Sequence, residues 1–286
     1  MANIAIITMA YNERVILPIW LRHYRAHCPG AALFVIDHGS NDGSTSNVSG
    51  ASVIPLPRTP FDDGHRAEFV SGFQKGLLKY YDVVIYADCD EMLVADPRRH
   101  HSLAALLDAT CADDVIAPVG LNVQHIPDID PTLDLAAPIL GQRRHAQFGV
   151  AFCKPVVVRK PVTWAPGFHW CDRVPTYRDD LFMFHLHKMD IDLAVARLKK
   201  TSEMPWSERA ASMGWSTNKT ATDPTRRREA LVVRARALVA AGAEPFEFSD
   251  DIERLAKSLH WQDGYWCGEY RSGRFSQIPE AFGHLV

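Results

Sequence analysis

The apolar run Val83-Val84-Ile85-Tyr86-Ala87 ends in Asp88-Cys89-Asp90-Glu91, and this junction constrains the chain more than any other stretch. Five consecutive apolar residues read as a strand buried on both faces, which is the signature of a sheet covered by helices on both sides. Three carboxylates at its carboxyl end then lie where such sheets collect their ligands. If extended geometry persists through the motif, a period of two turns Asp88 and Asp90 to one side and Cys89 to the other. Mg²⁺ or Mn²⁺ is commonly held by one or two carboxylates, with substrate phosphates and waters completing the shell, so the pair points to a phosphate-bearing ligand. Taken alone, the same residues also describe an acidic, solvated turn.

The preceding sequence supplies the context. Ile4 to Met9 reads as a buried strand, with Asn12 as a helix cap, Pro18 near the helix start and Pro29-Gly30 as its stop. Leu33 to Asp37 and Val53 to Leu56 read as further strands, and Gly39-Ser40-Asn41-Asp42-Gly43-Ser44 as a polar turn. Phe69, Phe73, Leu77 and Tyr80 recur at helical spacing. Strand, helix, strand, loop, strand, helix, strand predicts an α/β fold with a mostly parallel, Rossmann-like sheet flanked by helices. Val115 to Val119, Val156 to Arg159 and Leu181 to Leu186 continue the strands, whereas Gly141 to Phe152 has no period and reads as a loop over the site. Ile191 to Leu198, Pro224 to Ala241 and Ser249 to Leu259 have helical spacing. The division expected is residues 1–190 as the catalytic domain and 191–286 as a helical C-terminal extension.

Whole-chain properties narrow the function. With 286 residues, 47% hydrophobic, the chain can bury a substantial core. A formal charge of −3 gives no general attraction for nucleic acid. The start has neither the basic leader nor the apolar core of a signal peptide, and no run reaches membrane-spanning length, so a cytoplasmic protein is expected. Six cysteines without C-x-x-C spacing indicate reduced thiols.

Thr8-Met9-Ala10-Tyr11-Asn12-Glu13, Val35-Ile36-Asp37-His38-Gly39-Ser40-Asn41-Asp42-Gly43-Ser44 and Asp88-Cys89-Asp90-Glu91-Met92-Leu93 together resemble a family 2-like glycosyltransferase over roughly residues 3 to 190. Met92 departs from the aromatic residue of the bacterial branch it resembles most. The resemblance implies a glycosyltransferase A fold, a nucleotide-diphosphate sugar donor with a UDP-sugar favoured, a glycan or other hydroxyl acceptor, Mn²⁺ or Mg²⁺, and inversion at the anomeric carbon. It implies donor contacts by Glu13, Asp37, Arg66 and Asp88, and metal contacts by Asp88 and Asp90. Read as structure alone, Asp37 organises its turn, Glu13 caps the first helix and Arg66 is a surface arginine.

Among the later histidines, His185 and His187 share a face of an extended segment and are candidates for the metal or the diphosphate, beside Trp170 as a sugar platform. Inversion needs a base at the acceptor hydroxyl, for which His169 and Asp172 are the sequence candidates; Asp172 equally pairs with Arg173. Arg226-Arg227-Arg228, Arg234 and Arg236 offer attraction for an anionic acceptor or a membrane surface, or simply a solvated helix face. Leu231, Val232, Ala235, Leu238 and Val239 form a stripe expected to pack on the catalytic domain. The aromatics Trp261, Tyr265, Trp266, Tyr270 and Phe275 are candidates for an acceptor cleft or for buried area. Two rivals share this scaffold: a non-catalytic sugar-nucleotide or glycan-binding module, and a sugar nucleotidyltransferase. The latter is disfavoured because Ala10-Tyr11-Asn12-Glu13-Arg14 lacks a glycine-rich phosphate loop.

Overall fold

The computed structural model describes residues 2–215 and 223–286. Its strands are β1 (Ile4–Ala10), β2 (Ala32–Asp37), β3 (Ser52–Pro55), β4 (Val83–Tyr86), β5 (Glu91–Ala95), β6 (Val115–Gln124), β7 (His145–Phe148), β8 (Val157–Val158), β9 (Thr176–His185), β10 (His260–Gln262), β11 (Tyr265–Cys267) and β12 (Phe275–Gln277). Its helices are α1 (Ile16–His27), α2 (Asp63–Leu77), α3 (Leu103–Ala109), α4 (Ile139–Gln142), α5 (Ile191–Ser202), α6 (Glu208–Ser212), α7 (Pro224–Ala241) and α8 (Ser249–Lys257).

The central strands run β3-β2-β1-β4 and are parallel, as the alternating pattern predicts. Their side chains divide by the period of two. Ile4, Ile6, Leu33, Val35, Val83 and Ile85 pack with the buried face of α1, while Ala5, Ile7, Ile36, Val84 and Tyr86 pack with α2. Both faces are therefore covered, and β1, β2 and β4 all release their chains at one edge.

Beyond β4 the sheet turns mixed. β8 is antiparallel to both β4 and β6, whereas the long β9 runs parallel to β6 and antiparallel to β5. Four expectations change here. Extended geometry does not persist through the acidic motif: β4 stops at Tyr86, and a turn closed by Glu91 N–H to Asp88 C=O at 2.9 Å starts β5. Gly141 to Phe152 is not a bare loop, because β7 within it pairs with β6 and β12. β7 alternates polar His145 and Gln147 with Ala146 and Phe148, so it has no apolar run to mark it in the sequence.

The third change concerns α2. Its core face is Gly64, Ala67, Val70 and Ser71, with Gln74 buried through a hydrogen bond to the Val162 carbonyl, so compact side chains rather than the phenylalanines face the sheet. Phe69 is 37% exposed, and Tyr80, past the helix end, is 83% exposed. Phe73 instead packs edge-on against Phe34. The fourth is Asn12, which is not a cap: Val15 precedes α1, and Asn12 adopts φ 54° while its side chain exchanges hydrogen bonds with Asn41.

The C-terminal part is helical but not only so. α7 lays Leu231 against Ile191 and Ala194 of α5, and Ala235 and Leu238 near Ile126 and Phe275, so the stripe packs mostly on C-terminal elements, meets the first 190 residues at Ile126, and leaves Val239 36% exposed. β12 then joins the main sheet as its last strand beside β7, and β10–β11 form a separate hairpin. No helix among the described residues is long and apolar enough to cross a membrane.

Candidate active site

The carboxyl edge of β1, β2 and β4 opens into a cavity of about 500 Å³. Tyr11 and Glu13 follow β1, His38 follows β2, and Asp88 to Glu91 form the β4–β5 turn. Arg66 reaches in from α2, Lys154 and His169 from the segments flanking β8, His185 and His187 from the end of β9, and Arg197 and Lys200 from α5. The cavity therefore draws on residues either side of position 190.

Its chemistry is dense and paired. Asp88 Oδ1 accepts from Arg66 Nη2 at 2.8 Å and from the Tyr86 hydroxyl at 2.6 Å, while Oδ2 accepts from Lys154 Nζ at 3.1 Å. Burial pushes the Asp88 carboxyl up, but Lys154 and Arg66 override it and hold the group well below the usual range. Lys154 also donates to Glu91, whose other oxygen accepts from the Asp88 N–H at 3.1 Å and so braces the turn. Burial raises the Glu91 carboxyl, with Lys154 opposing. Burial alone would depress the Lys154 ammonium; Glu91 and Asp88 lift it instead.

Asp90 is the second acidic centre. Its Oδ2 lies 2.5 Å from Arg197 Nη1, 3.3 Å from His185 Nε2 and 3.9 Å from His187 Nδ1. Burial works against its ionised form, and Arg197 and His185 restore it, leaving the carboxyl well below its ordinary value. Arg197 Nη2 continues to Glu13 Oε1 at 3.3 Å, and Lys200 ties the same oxygen, at 2.7 Å, to the Tyr11 and Asn12 carbonyls. His187 is pushed down to about 3 by burial, His185 and Arg197, so its imidazole is neutral at physiological pH.

The residues in this pocket suit a divalent ion in kind. His185 Nδ1 lies 3.3 Å from the Asn122 side-chain oxygen and Nε2 3.3 Å from Asp90 Oδ2. A carboxylate oxygen and two imidazoles are the kinds of ligand a divalent ion accepts. Even so, no group of three His, Cys, Asp or Glu side chains among the described residues is arranged as a ready metal site. Asp88 differs from Asp90 in having both oxygens engaged by cations.

Other expected residues fall variously. Arg66 is no surface residue: it bridges Asp63, Tyr86 and Asp88 and is only 15% exposed. Glu13 lines the cavity rather than capping α1. Asp37 accepts from the Ser40 N–H at 2.8 Å and the Thr45 hydroxyl at 2.7 Å, organising its turn just outside the lining. His169 is in the lining; its Nδ1 donates to the Ala151 carbonyl at 2.7 Å, leaving Nε2 free, and burial with Lys154 lowers it to about 4. Asp172 is outside the lining, where its Oδ1 accepts from the Thr163 N–H at 2.8 Å. Trp170 and the aromatics Trp261 to Phe275 do not line it either. Of the basic run, Arg227 reaches the cavity, while Arg228 pairs with Asp192 and Arg236 with Asp128.

Sequence reading missed Lys154, Arg197 and Lys200. Lys154 sits in an aperiodic stretch with no motif around it, whereas Arg197 and Lys200 carried a signal, two cations three residues apart on one face of a predicted helix.

No family model matches the chain. It is 32% identical over 111 residues to an undecaprenyl-phosphate mannosyltransferase of Micrococcus luteus, covering 37% of this chain and 43% of that protein. It is 27% identical over 127 residues to a polyprenol monophosphomannose synthase of Mycolicibacterium smegmatis, covering 43% and 45%. The chain thus spans less than half the length of either curated relative. Among solved structures, a glucosyl-3-phosphoglycerate synthase of Mycobacterium tuberculosis with Mn²⁺ and UDP overlays with a TM-score of 0.29 at 18% identity, over 42% of this chain and 44% of that one. A CMP-2-keto-3-deoxy-manno-octonic acid synthetase with CTP gives 0.31 at 13%, over 42% and 53%. Overlays this partial say nothing of what this chain binds. By their names the curated relatives are sugar-transferring enzymes, and the family 2-like glycosyltransferase resemblance of the three N-terminal motifs is borne out.

Proposed function

We propose that this protein is a glycosyltransferase that moves a sugar from a nucleotide-diphosphate donor to an acceptor, assisted by Mn²⁺ or Mg²⁺ and with inversion. The observation that carries this reading is the Asp88–Asp90 turn at the parallel-strand edge, enclosed by Arg66, Lys154 and Arg197 in one cavity. Arg66, Lys154, Arg197 and Lys200 supply charge-assisted donors for diphosphate oxygens. Tyr11, with the Arg58 guanidinium 3.7 Å from its ring centroid, and His38 form a flat wall at the β1–β2 end suited to a nucleobase, with UDP the first candidate. Asp37 supports that wall through its turn. A divalent ion held by Asp90, His185 and His187 would stabilise the charge that grows on the departing diphosphate. The residues' own contribution is to hold that charge in a fixed, partly dry array, so that stabilisation rises toward the transition state.

For a hydroxyl acceptor, His169 Nε2 is the base better placed than Asp172, because it is free and faces the cavity. A second reading is favoured by one observation: Glu13, Asp63, Asp88, Asp90 and Glu91, the carboxylates lining the cavity, each pair with a lysine or arginine. Each is already engaged by a cation. An acceptor that is already ionised, such as the lipid phosphates in the curated relatives' names, would need no deprotonation. Incubation of the protein and Mn²⁺ with UDP- or GDP-sugars, plus either a long-chain alcohol or an alkyl phosphate, tests both. Nucleoside diphosphate released in step with a glycosidic product supports transfer, and the acceptor consumed selects the reading. Saturable donor binding without product means a binding module, and pyrophosphate-linked synthesis a nucleotidyltransferase.

A further inference from the structure

Three side chains meet on one oxygen. Arg197 Nη1, His185 Nε2 and His187 Nδ1 all point at Asp90 Oδ2, and the guanidinium is the nearest of the three at 2.5 Å. A positive group thus already sits where the two imidazoles and the carboxylate converge. The same guanidinium has a second carboxylate within reach, Glu13 at 3.3 Å, itself anchored by Lys200.

We propose that Arg197 is a built-in counter-cation that occupies the Asp90–His185–His187 donor set when no divalent ion is bound, and is handed to Glu13 and the donor diphosphate when one is. The inference rests on the cation-assisted reading above. Its physical basis is charge balance. Removing a positive partner from a buried carboxylate is costly, so an unloaded site keeps one. A guanidinium and a divalent ion cannot share one carboxylate oxygen without strong repulsion. Loading of the ion must therefore displace Arg197, and the displaced charge is released beside Glu13 and Lys200, among the donors proposed for the diphosphate oxygens. The arrangement couples the two ligands, since each favours the state in which Arg197 has left Asp90.

The test is Mn²⁺ binding to the nucleotide-free full chain, followed by the electron paramagnetic resonance of free Mn²⁺. Arg197→Gln should bind Mn²⁺ about tenfold tighter than the wild type. Arg197→Lys should stay near the wild type, and Glu13→Gln, which strips Arg197 of its alternative partner, should bind severalfold more weakly. Unchanged or weaker binding by a folded Arg197→Gln overturns the inference, and if that variant does not fold, tighter or equal binding by Glu13→Gln does so. Asp90→Asn separates this from the parent reading. Loss of Mn²⁺ binding in that variant keeps the cation at Asp90 whatever Arg197 does, whereas Mn²⁺ bound as in the wild type removes the cation from this site altogether.

Discussion

Lys154 Nζ lies 2.6 Å from Glu91 Oε1, and the two side chains are only 4% and 1% exposed. The ammonium also serves Asp88, so one buried lysine neutralises two carboxylates of the β4–β5 turn. Lys154→Met should leave both without it, and breaking a buried pair by removing one partner costs roughly 3–5 kcal/mol. Urea denaturation of the variant should show that loss. A drop below about 1 kcal/mol would mean that water or Arg66 takes over the charge.

Asp90→Ala should act oppositely. It removes a carboxylate on which Arg197, His185 and His187 converge, but Arg197 retains Glu13, so the fold has a fallback. We expect sugar transfer to fall by about 10²–10³-fold, the scale of losing one preorganised electrostatic contact in an active site. Thermal unfolding should shift little. Near-normal turnover at saturating Mn²⁺ would remove Asp90 from the chemistry.

Much of this was legible in the sequence, for identifiable reasons. β1, β2 and β4 are buried runs with apolar side chains on both faces, and α7 is bracketed by Asp223-Pro224 and Gly242, so their periods and caps survive in the chain itself. Asp88 and Asp90 were found because they follow the β4 run, whereas Glu13 and Arg66 came with the family resemblance. What escaped depends on long-range pairing. β5 follows the acidic turn without a break and is defined by its pairing with the distant β9, and β12 has meaning only once β7 is beside it. Lys154 is invisible for the same reason, because its role comes from carboxylates more than sixty residues earlier. The buried face of α2 was misjudged since Phe69 and Phe73 outweigh Ala67 and Ser71 in hydrophobicity, yet close approach to the sheet selects the small residues.

Gly120 tests how that distant lysine is aimed. A Cβ on this β6 residue would lie 2.3 Å from the Phe152 carbonyl carbon and 2.6 Å from the Cys153 nitrogen, both backbone atoms that cannot rotate away. Gly120→Ala should therefore push out the segment that carries Lys154, at a cost of roughly 1–3 kcal/mol for overpacking. Donor affinity should weaken along with stability, because the ammonium moves with its backbone. Isothermal titration with a nucleoside diphosphate checks this. Unchanged affinity in a destabilised protein would show that Lys154 position does not matter to the ligand.

Asp180 fixes the far end of β9, and its contribution depends on pH. Its carboxylate accepts from Arg178 Nε at 2.8 Å and Nη2 at 2.7 Å and pairs with His100 at 2.8 Å. Burial opposes ionisation, but these bonds win and bring the group down from 3.8 to about 2. A depressed folded-state value means the unfolded chain takes up the proton first, so the stabilisation is complete above pH 3.8 and drains away as pH falls toward 2. Asp180→Asn should lose about 1.5–3 kcal/mol at pH 7, the range for hydrogen bonds to charged groups. The stability gap between wild type and variant should narrow as pH falls through that window; a constant gap would mean that the amide loses packing rather than charge.

His169 offers the corresponding test in activity. Its Nδ1 proton is committed to the Ala151 carbonyl, so the Nε2 lone pair is the reactive end, and burial beside Lys154 holds the imidazolium form off until about pH 4. If Nε2 takes the acceptor proton, kcat/KM with an alcohol acceptor should stay level down through pH 6.5 and fall only as pH approaches 4, since a base works in its unprotonated form. His169→Gln should lower kcat with the alcohol by about 10²-fold or more. With an alkyl phosphate acceptor, already ionised, the same variant should keep most of its rate. Equal losses with both acceptors would make His169 a positioning residue of the cavity lining, and a fall in kcat/KM centred near 6.5 would assign the proton to a more exposed group.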